Sequence, residues 1–155
     1  MEGSLRAKRE MQKPSAKLIH MAEKELQWRL ANSNTARQFG FELHTAEPGR
    51  VLLQMRVARR HKQVHGVVHG GVLASLADTA GGLATYMVVA PGTRVATVEM
   101  KINYLEPIDK GTVTAEARVI RRGKYLAVVE CDLRNEESLL VGKALMTFSM
   151  GPEQK

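Results

Sequence analysis

From Gly70 to Ala90 the chain carries one charged side chain, Asp78, in a run otherwise made of apolar and small residues. Plotted at about 100° per residue, Val72, Leu73, Leu76, Ala77, Ala80, Leu83, Ala84 and Met87 fall on one broad arc, the pattern of a helix whose apolar side faces a core. The other side holds Ala74, Ser75, Asp78, Gly81, Gly82 and Thr85. A helix this small and uncharged on its outer side is expected to be covered twice, by a sheet on the apolar arc and by a second surface opposite. A second copy of the chain is the simplest cover. Gly81 and Gly82 point the same way: a glycine inside a helix costs about 1 kcal/mol relative to alanine, so close approach of a backbone or a ligand is the expected reason for them.

The flanking segments read as strands. "FGFEL" at 39–43 opens the first, "EPGR" at 47–50 marks a turn, and Val51, Leu53, Met55 and Val57 alternate after it, which predicts a hairpin. Beyond a helix stop at "APG", residues 90–92, four runs are separated by "EPIDKG", "RRGK" and "NEES". Their inward positions are expected to be Ala96, Val98, Met100 and Ile102, then Val113, Ala115, Ala117 and Val119. Next come Tyr125, Ala127, Val129, Cys131 and Leu133, and last Val141, Leu145 and Thr147. Strands and helices do not alternate as a parallel sheet requires, so the expected class is α+β, with about six antiparallel strands and one long buried helix. At 155 residues and 44% hydrophobic content there is material for one core. Leu18, Ala22, Leu26 and Leu30 recur every fourth residue beside Met21, which predicts an amphipathic helical extension over 1–36 ahead of a domain at 37–151.

Composition excludes several functions. The formal charge is +7, concentrated locally in "ARRHKQ" at 58–63 and "RRGKY" at 121–125. Nucleic-acid binding would call for basic residues interleaved with stacking aromatics, and aromatics make up only 5%. The uncharged run holds Asp78 and too many small polar residues for a membrane span, and no apolar run follows the basic N-terminal residues as in a secretory signal, so a cytoplasmic protein is expected. Cys131 is single and reads as a buried core thiol, without a partner for a disulfide, metal or redox pair. His61, His65 and His69 have the four-residue spacing of a helical zinc site. Gly66, Val67 and Val68 break such a helix; His61 and His65 are expected in an exposed loop, with no metal bound.

Asp78 lies two turns into the helix, past the first turn where a carboxylate benefits from the helix dipole. A carboxylate kept there without a nearby cation is a candidate for function. His69, Gly70 and Gly71 stand at the helix N-terminus, whose free N–H groups can hold a developing oxyanion if it comes within about 3 Å. Carboxylate and donors together would serve acyl transfer or hydrolysis. Gly70 and Asp78 are eight residues apart, roughly 12 Å along a helix at about 1.5 Å per residue, too far to reach one carbonyl carbon. Two antiparallel helices related by a two-fold axis would bring the N-terminus of one beside the middle of the other.

"HGGVLASLADTAGG", with "HKQVHGVV" before it and "VEMKINYLEPIDKGTVTAEARVIRRGK" after it, resembles the hotdog-fold thioesterase superfamily, in the PaaI-like group related to phenylacetate-pathway and 4-hydroxybenzoyl-CoA thioesterases, over residues 39–150. The resemblance implies an antiparallel sheet wrapped around the helix, assembly as a homodimer or dimer of dimers, and hydrolysis of an acyl-CoA, aryl or medium-chain aliphatic, between subunits. It implies that Asp78 is the catalytic carboxylate, that the Gly70 N–H binds the oxyanion, and that His69 and Gln63 position the carbonyl or the water. Gly71, Thr79 and Gly82 would lie against the substrate, and Arg121, Arg122 and Lys124 would meet the CoA phosphates. No cofactor is implied; coenzyme A enters as part of the substrate. Relatives carry serine or threonine one turn after the carboxylate, where this chain has Gly82, so Ser75, Thr79 and Thr85 are the hydroxyls expected to take over. A dehydratase on the same fold and a non-catalytic acyl-CoA-binding module are the alternatives.

Overall fold

The computed structural model describes residues 16–152, with side chains from residue 19 onward; residues 1–15 of the proposed extension and the side chain of Leu18 lie outside what is described. Helices α1 (Ala16–Asn32) and α2 (Asn34–Phe39) are followed by β1 (Phe41–Glu47), β2 (Arg50–Arg56), α3 (Gly70–Tyr86), β3 (Thr93–Tyr104), β4 (Thr112–Arg122), β5 (Leu126–Arg134) and β6 (Leu140–Pro152). The strands form one antiparallel sheet in the order β1-β2-β4-β5-β6-β3. This is the expected α+β architecture, with the sheet curled around α3.

The hairpin between β1 and β2 turns at Pro48 and Gly49, where Gly49 adopts φ +74°, a conformation glycine enters freely. Val51, Leu53 and Met55 point inward from β2, Val113, Ala115 and Ala117 from β4, and Ala127, Val129, Cys131 and Leu133 from β5, all fully buried. Burial pushes the Cys131 thiol well above its ordinary pKa, which keeps it unreactive. Leu76, Ala77, Ala80 and Ala84 of α3 close the core from the helix side. Leu26 and Leu30 of α1 join that same core, and Ser33 ends α1 and caps α2 by accepting a bond from the Ala36 N–H.

The structure corrects several sequence expectations. Phe39 closes α2 and Gly40, at φ 69°, caps it, so β1 begins at Phe41. Helix α3 stops at Tyr86, before "APG", with the β-branched Val88 and Val89 leading away. In β3 the register shifts between Thr97 and Glu99, and this bulge turns Ala96 and Val98 out to solvent while Met100 and Ile102 stay against the core. In β6 the inner face is Ala144, Met146, Phe148 and Met150; Leu145 is exposed, and Thr147 bonds outward to Glu99. Both faces of that strand carry apolar residues, which hid its register.

Gly81 and Thr85 were expected on the outer side of α3 and are buried. A Cβ at Gly81 would stand 2.7 Å from the Met146 side chain and 2.9 Å from the Phe148 ring. That glycine serves the packing of α3 on β6 within one chain. Among the described residues no helix is long and apolar enough to cross a membrane.

Candidate active site

The segment before α3 is a short closed loop. Lys62 bridges Val68, the Gln63 N–H donates to the Val67 carbonyl at 2.9 Å, and the His69 N–H donates to the His61 carbonyl at 2.8 Å. Gly66 makes the turn at φ +83°. His69 then caps α3: its Nδ1 accepts the Gly71 N–H at 2.8 Å, and its carbonyl accepts from Val72 and Leu73. With those first-turn donors engaged, the Gly70 N–H is the one left without a partner among the described residues. The Gly70 carbonyl accepts from the Tyr104 hydroxyl at 2.7 Å, so β3 holds this end of the helix from one side. Burial pushes the Tyr104 phenol upward, which keeps it a donor. Gln63 is half-buried in the loop, its Oε1 accepting from the His65 N–H at 2.9 Å.

Asp78 sits at mid-helix, half-buried, and its Oδ1 accepts a hydrogen bond from Thr97 Oγ1 of β3 at 2.7 Å. A cavity of about 250 Å³ opens there, with Asp78, Thr79 and Gly82 on one wall, Val95–Thr97 on another and Phe148 below. Arg29 and Leu30 of α1 complete it. The cavity gathers three of the residues named from the sequence; Gln63, His69, Gly70 and Gly71 belong to the other end of the helix. Strand β3 spans both ends, touching Asp78 through Thr97 and Gly70 through Tyr104.

Thr97 supplies the hydroxyl whose absence at Gly82 stood out in the sequence. Ser75, Thr79 and Thr85 donate instead to the carbonyls of Gly71, Ser75 and Gly81 one turn back along their own helix. Nothing in the spacing around Thr97 marks it; only its place on the strand that returns alongside α3, just before the bulge, brings it to the carboxylate. Arg29 was likewise hidden, because its helix read as an appendage.

Arg121, Arg122 and Lys124 are exposed around the β4–β5 turn. Arg122 and Lys124 line a surface groove of about 450 Å³ with Thr93 and Tyr125, and Lys124 Nζ lies 4.9 Å from the Tyr125 ring centre. Arg121 follows a bulge that begins at Val119 and is not part of the groove lining.

His61 departs from the expected exposed position and is completely buried, whereas His65 is exposed. His61 Nδ1 accepts from the Ala58 N–H at 3.0 Å and the ring meets Phe39 edge-on, while Nε2 is buried without a hydrogen-bond partner. Burial, reinforced by the Arg60 charge, holds its pKa below the ordinary imidazole value, against an opposite pull from the Phe39 backbone. The unfolded chain therefore takes up a proton at a higher pH than the folded one. Stability is full above the unfolded value of about 6.5 and is lost as pH falls toward the depressed folded value, with a slope of at most about 1.4 kcal/mol per pH unit from this group. Urea unfolding between pH 7.5 and 5 is expected to show a steeper decline for the wild-type chain than for His61→Asn, whose amide oxygen can replace Nδ1 as acceptor. Parallel slopes would show that His61 does not titrate in this way.

Comparison with known proteins agrees with this fold. The sequence pattern of the Thioesterase superfamily matches residues 65–141, the span from the loop before α3 to the start of β6. A putative esterase of Haemophilus influenzae is 32% identical over 121 residues, which cover 78% of this chain and 88% of the relative. Human acyl-coenzyme A thioesterase 13 is 34% identical over 95 residues, covering 61% of this chain and 67% of the relative. Among solved structures, the Escherichia coli PaaI protein of the phenylacetic acid degradation operon superposes with a TM-score of 0.80 at 26% identity, covering 88% of this chain and 99% of that one. The family match takes in α3 and β3, which carry Asp78 and Thr97, and on these likenesses the chain belongs to the thioesterase superfamily, as a PaaI-like hotdog-fold thioester hydrolase.

Proposed function

We propose that this hydrolase acts on acyl-CoA, at a site to which two copies of the chain contribute. The observation that carries the reading is the Thr97–Asp78 hydrogen bond at the rim of a cavity beside β3. It ties down one carboxylate oxygen and leaves the other to take a proton from water. The water oxygen bonds to the thioester carbonyl carbon as its proton passes to Asp78. The carbonyl oxygen, now negative, is held by a backbone N–H at a helix N-terminus. Collapse breaks the C–S bond, the leaving thiolate takes the proton from Asp78 to give CoA-SH, and the acid is released with the carboxylate restored. The steps call for no metal or redox cofactor.

The donor proposed for the oxyanion is the Gly70 N–H of a second copy. Strand β3, 12 residues long, pairs with no strand but β6 among the described residues and forms one edge of the sheet. A bare edge of that length is a template for pairing. If two β3 strands pair antiparallel around Met100 and Lys101, the Thr97 end of one lies beside the Tyr104 end of the other. Asp78 and Gly70 are tethered to those two ends, so a pairing of this kind would assemble two equivalent sites. The groove at Arg122 and Lys124 is the proposed seat of the CoA phosphates, and the cytoplasm the proposed compartment, which a single free thiol suits. Release of free thiol from a panel of aryl- and alkyl-CoA thioesters tests the reading. Steady release is expected; saturable binding without release would contradict it.

A further inference from the structure

A second cavity, of about 430 Å³, lies between α1 and the segment that joins α3 to β3, within the size range of small-molecule sites. Ile19, Ala22, Leu26, Met87, Val89 and Pro91 give it an apolar lining. It shares Arg29 and Tyr86 with the Asp78 cavity, and the segment 89–92 with the groove at Arg122 and Lys124, so it lies between the two. The Arg29 guanidinium stacks 3.7 Å from the Tyr86 ring centre, and Tyr86 is held to β3 by the Val95 N–H at 3.3 Å. These two side chains therefore form the threshold between the cavities.

We propose that this groove holds the aliphatic chain of the acyl group, so that α1 is the specificity element of the enzyme and the substrate class is medium-chain alkyl thioesters. The proposal rests on the hydrolase reading given above. A thioester carbonyl beside Asp78 has its acyl chain continuing past Arg29 and Tyr86 into the groove. The pantetheine arm is a poor occupant, since its amides and hydroxyl need partners. The charged side chains on offer, Glu25 and Arg29, are paired with each other through Nη2 at 2.9 Å, Arg29 Nε is buried and unpartnered, and the Tyr86 hydroxyl, which accepts from Val95, has one donor left, too few groups for two amides and a hydroxyl. An alkyl chain asks for nothing but apolar contact, and Met21, largely exposed at the groove, would be covered by it.

The test is a series from acetyl-CoA to dodecanoyl-CoA with the full chain, together with Ala22→Trp and Met87→Trp, each of which places an indole in the groove from a different wall and away from the groove at Arg122 and Lys124. In the wild type, kcat/KM is expected to climb about fourfold per added methylene until the groove is full. In both variants the ratio of kcat/KM for decanoyl-CoA to that for acetyl-CoA is expected to fall at least about tenfold. Acetyl-CoA turnover reports that the variants fold. A flat wild-type series, or variants that keep the wild-type ratio, would overturn the proposal; so would a loss that strikes acetyl-CoA and free-CoA binding as hard as decanoyl-CoA, which would assign the groove to pantetheine. If no thioester is hydrolysed, the hydrolase reading falls separately. Calorimetric binding then decides the groove: decanoyl-CoA binding tighter than acetyl-CoA, with the difference lost in Ala22→Trp, upholds it, and equal binding removes it.

Discussion

Asp78→Asn is expected to lower kcat for thioester hydrolysis by about 10²–10⁴-fold, the range that a positioned acid–base group contributes, while oligomeric state and unfolding midpoint stay close to wild type. The substitution keeps the shape of the side chain and an oxygen that can accept from Thr97. It removes the charge that draws a proton from water. Because Asp78 is only half-buried and Thr97 is its one hydrogen-bond partner among the described residues, removing the charge leaves no buried cation stranded. Single-turnover thiol release measured beside size-exclusion chromatography separates lost chemistry from lost assembly. An Asp78→Asn protein with wild-type kcat would take this carboxylate out of the reaction. Thr97→Val, which preserves volume and deletes the donor, is expected to fall between the two, since it frees the carboxylate without neutralising it.

The second large effect is expected at Gly70. Proline at the first position of a helix is well tolerated, because the N–H it lacks has no partner in the helix and its φ suits the helix start. His69 is already extended, at φ −63° and ψ 133°, the conformation that a residue before proline prefers. Gly70→Pro thus removes one donor and little else from the backbone. Loss of an oxyanion donor costs about 10²–10³-fold in kcat. The added Cβ would stand 3.0 Å from the Tyr104 ring, so Gly70→Ala, which adds the same atom and keeps the N–H, is the control. The account expects alanine to retain most of the turnover and proline to lose it, with circular dichroism unchanged in both. Equal losses would assign the effect to crowding of Tyr104.

Much of this was legible in the residues. The arc on α3 and the alternation in β2, β4 and β5 come from one-sided burial, which leaves a period in the sequence, and most of those positions are buried as expected; Tyr125 is not, because β5 begins only at Leu126 and the tyrosine stands 64% exposed in the turn before it. Asp78 stood out because a charge is costly on a helix that is otherwise uncharged. Where two faces of one strand are both apolar, as at Leu145 and Met146, the period carries no sign and the register was misread. The bulge after Thr97 shifts the pattern by a residue and leaves no composition signature. Gly81 was legible as a close approach, but its partner is Phe148 of the same chain. Contacts between distant segments were the least accessible: Thr97 with Asp78, Arg29 with Tyr86, and the burial of His61 all depend on how the sheet wraps, which no local spacing encodes.

The central claim is that the carboxylate and the oxyanion donor of each site come from different copies of the chain. Co-expression of Asp78→Asn and Gly70→Pro chains carrying different affinity tags, followed by purification through both tags, yields a heterodimer that tests it. If the sites are shared, one of the two in that heterodimer combines an intact Asp78 with an intact Gly70, and about half of wild-type turnover is expected to return, as two-fold symmetry requires. If each chain builds its own site, every site carries one lesion, and the heterodimer would be as inactive as its parents.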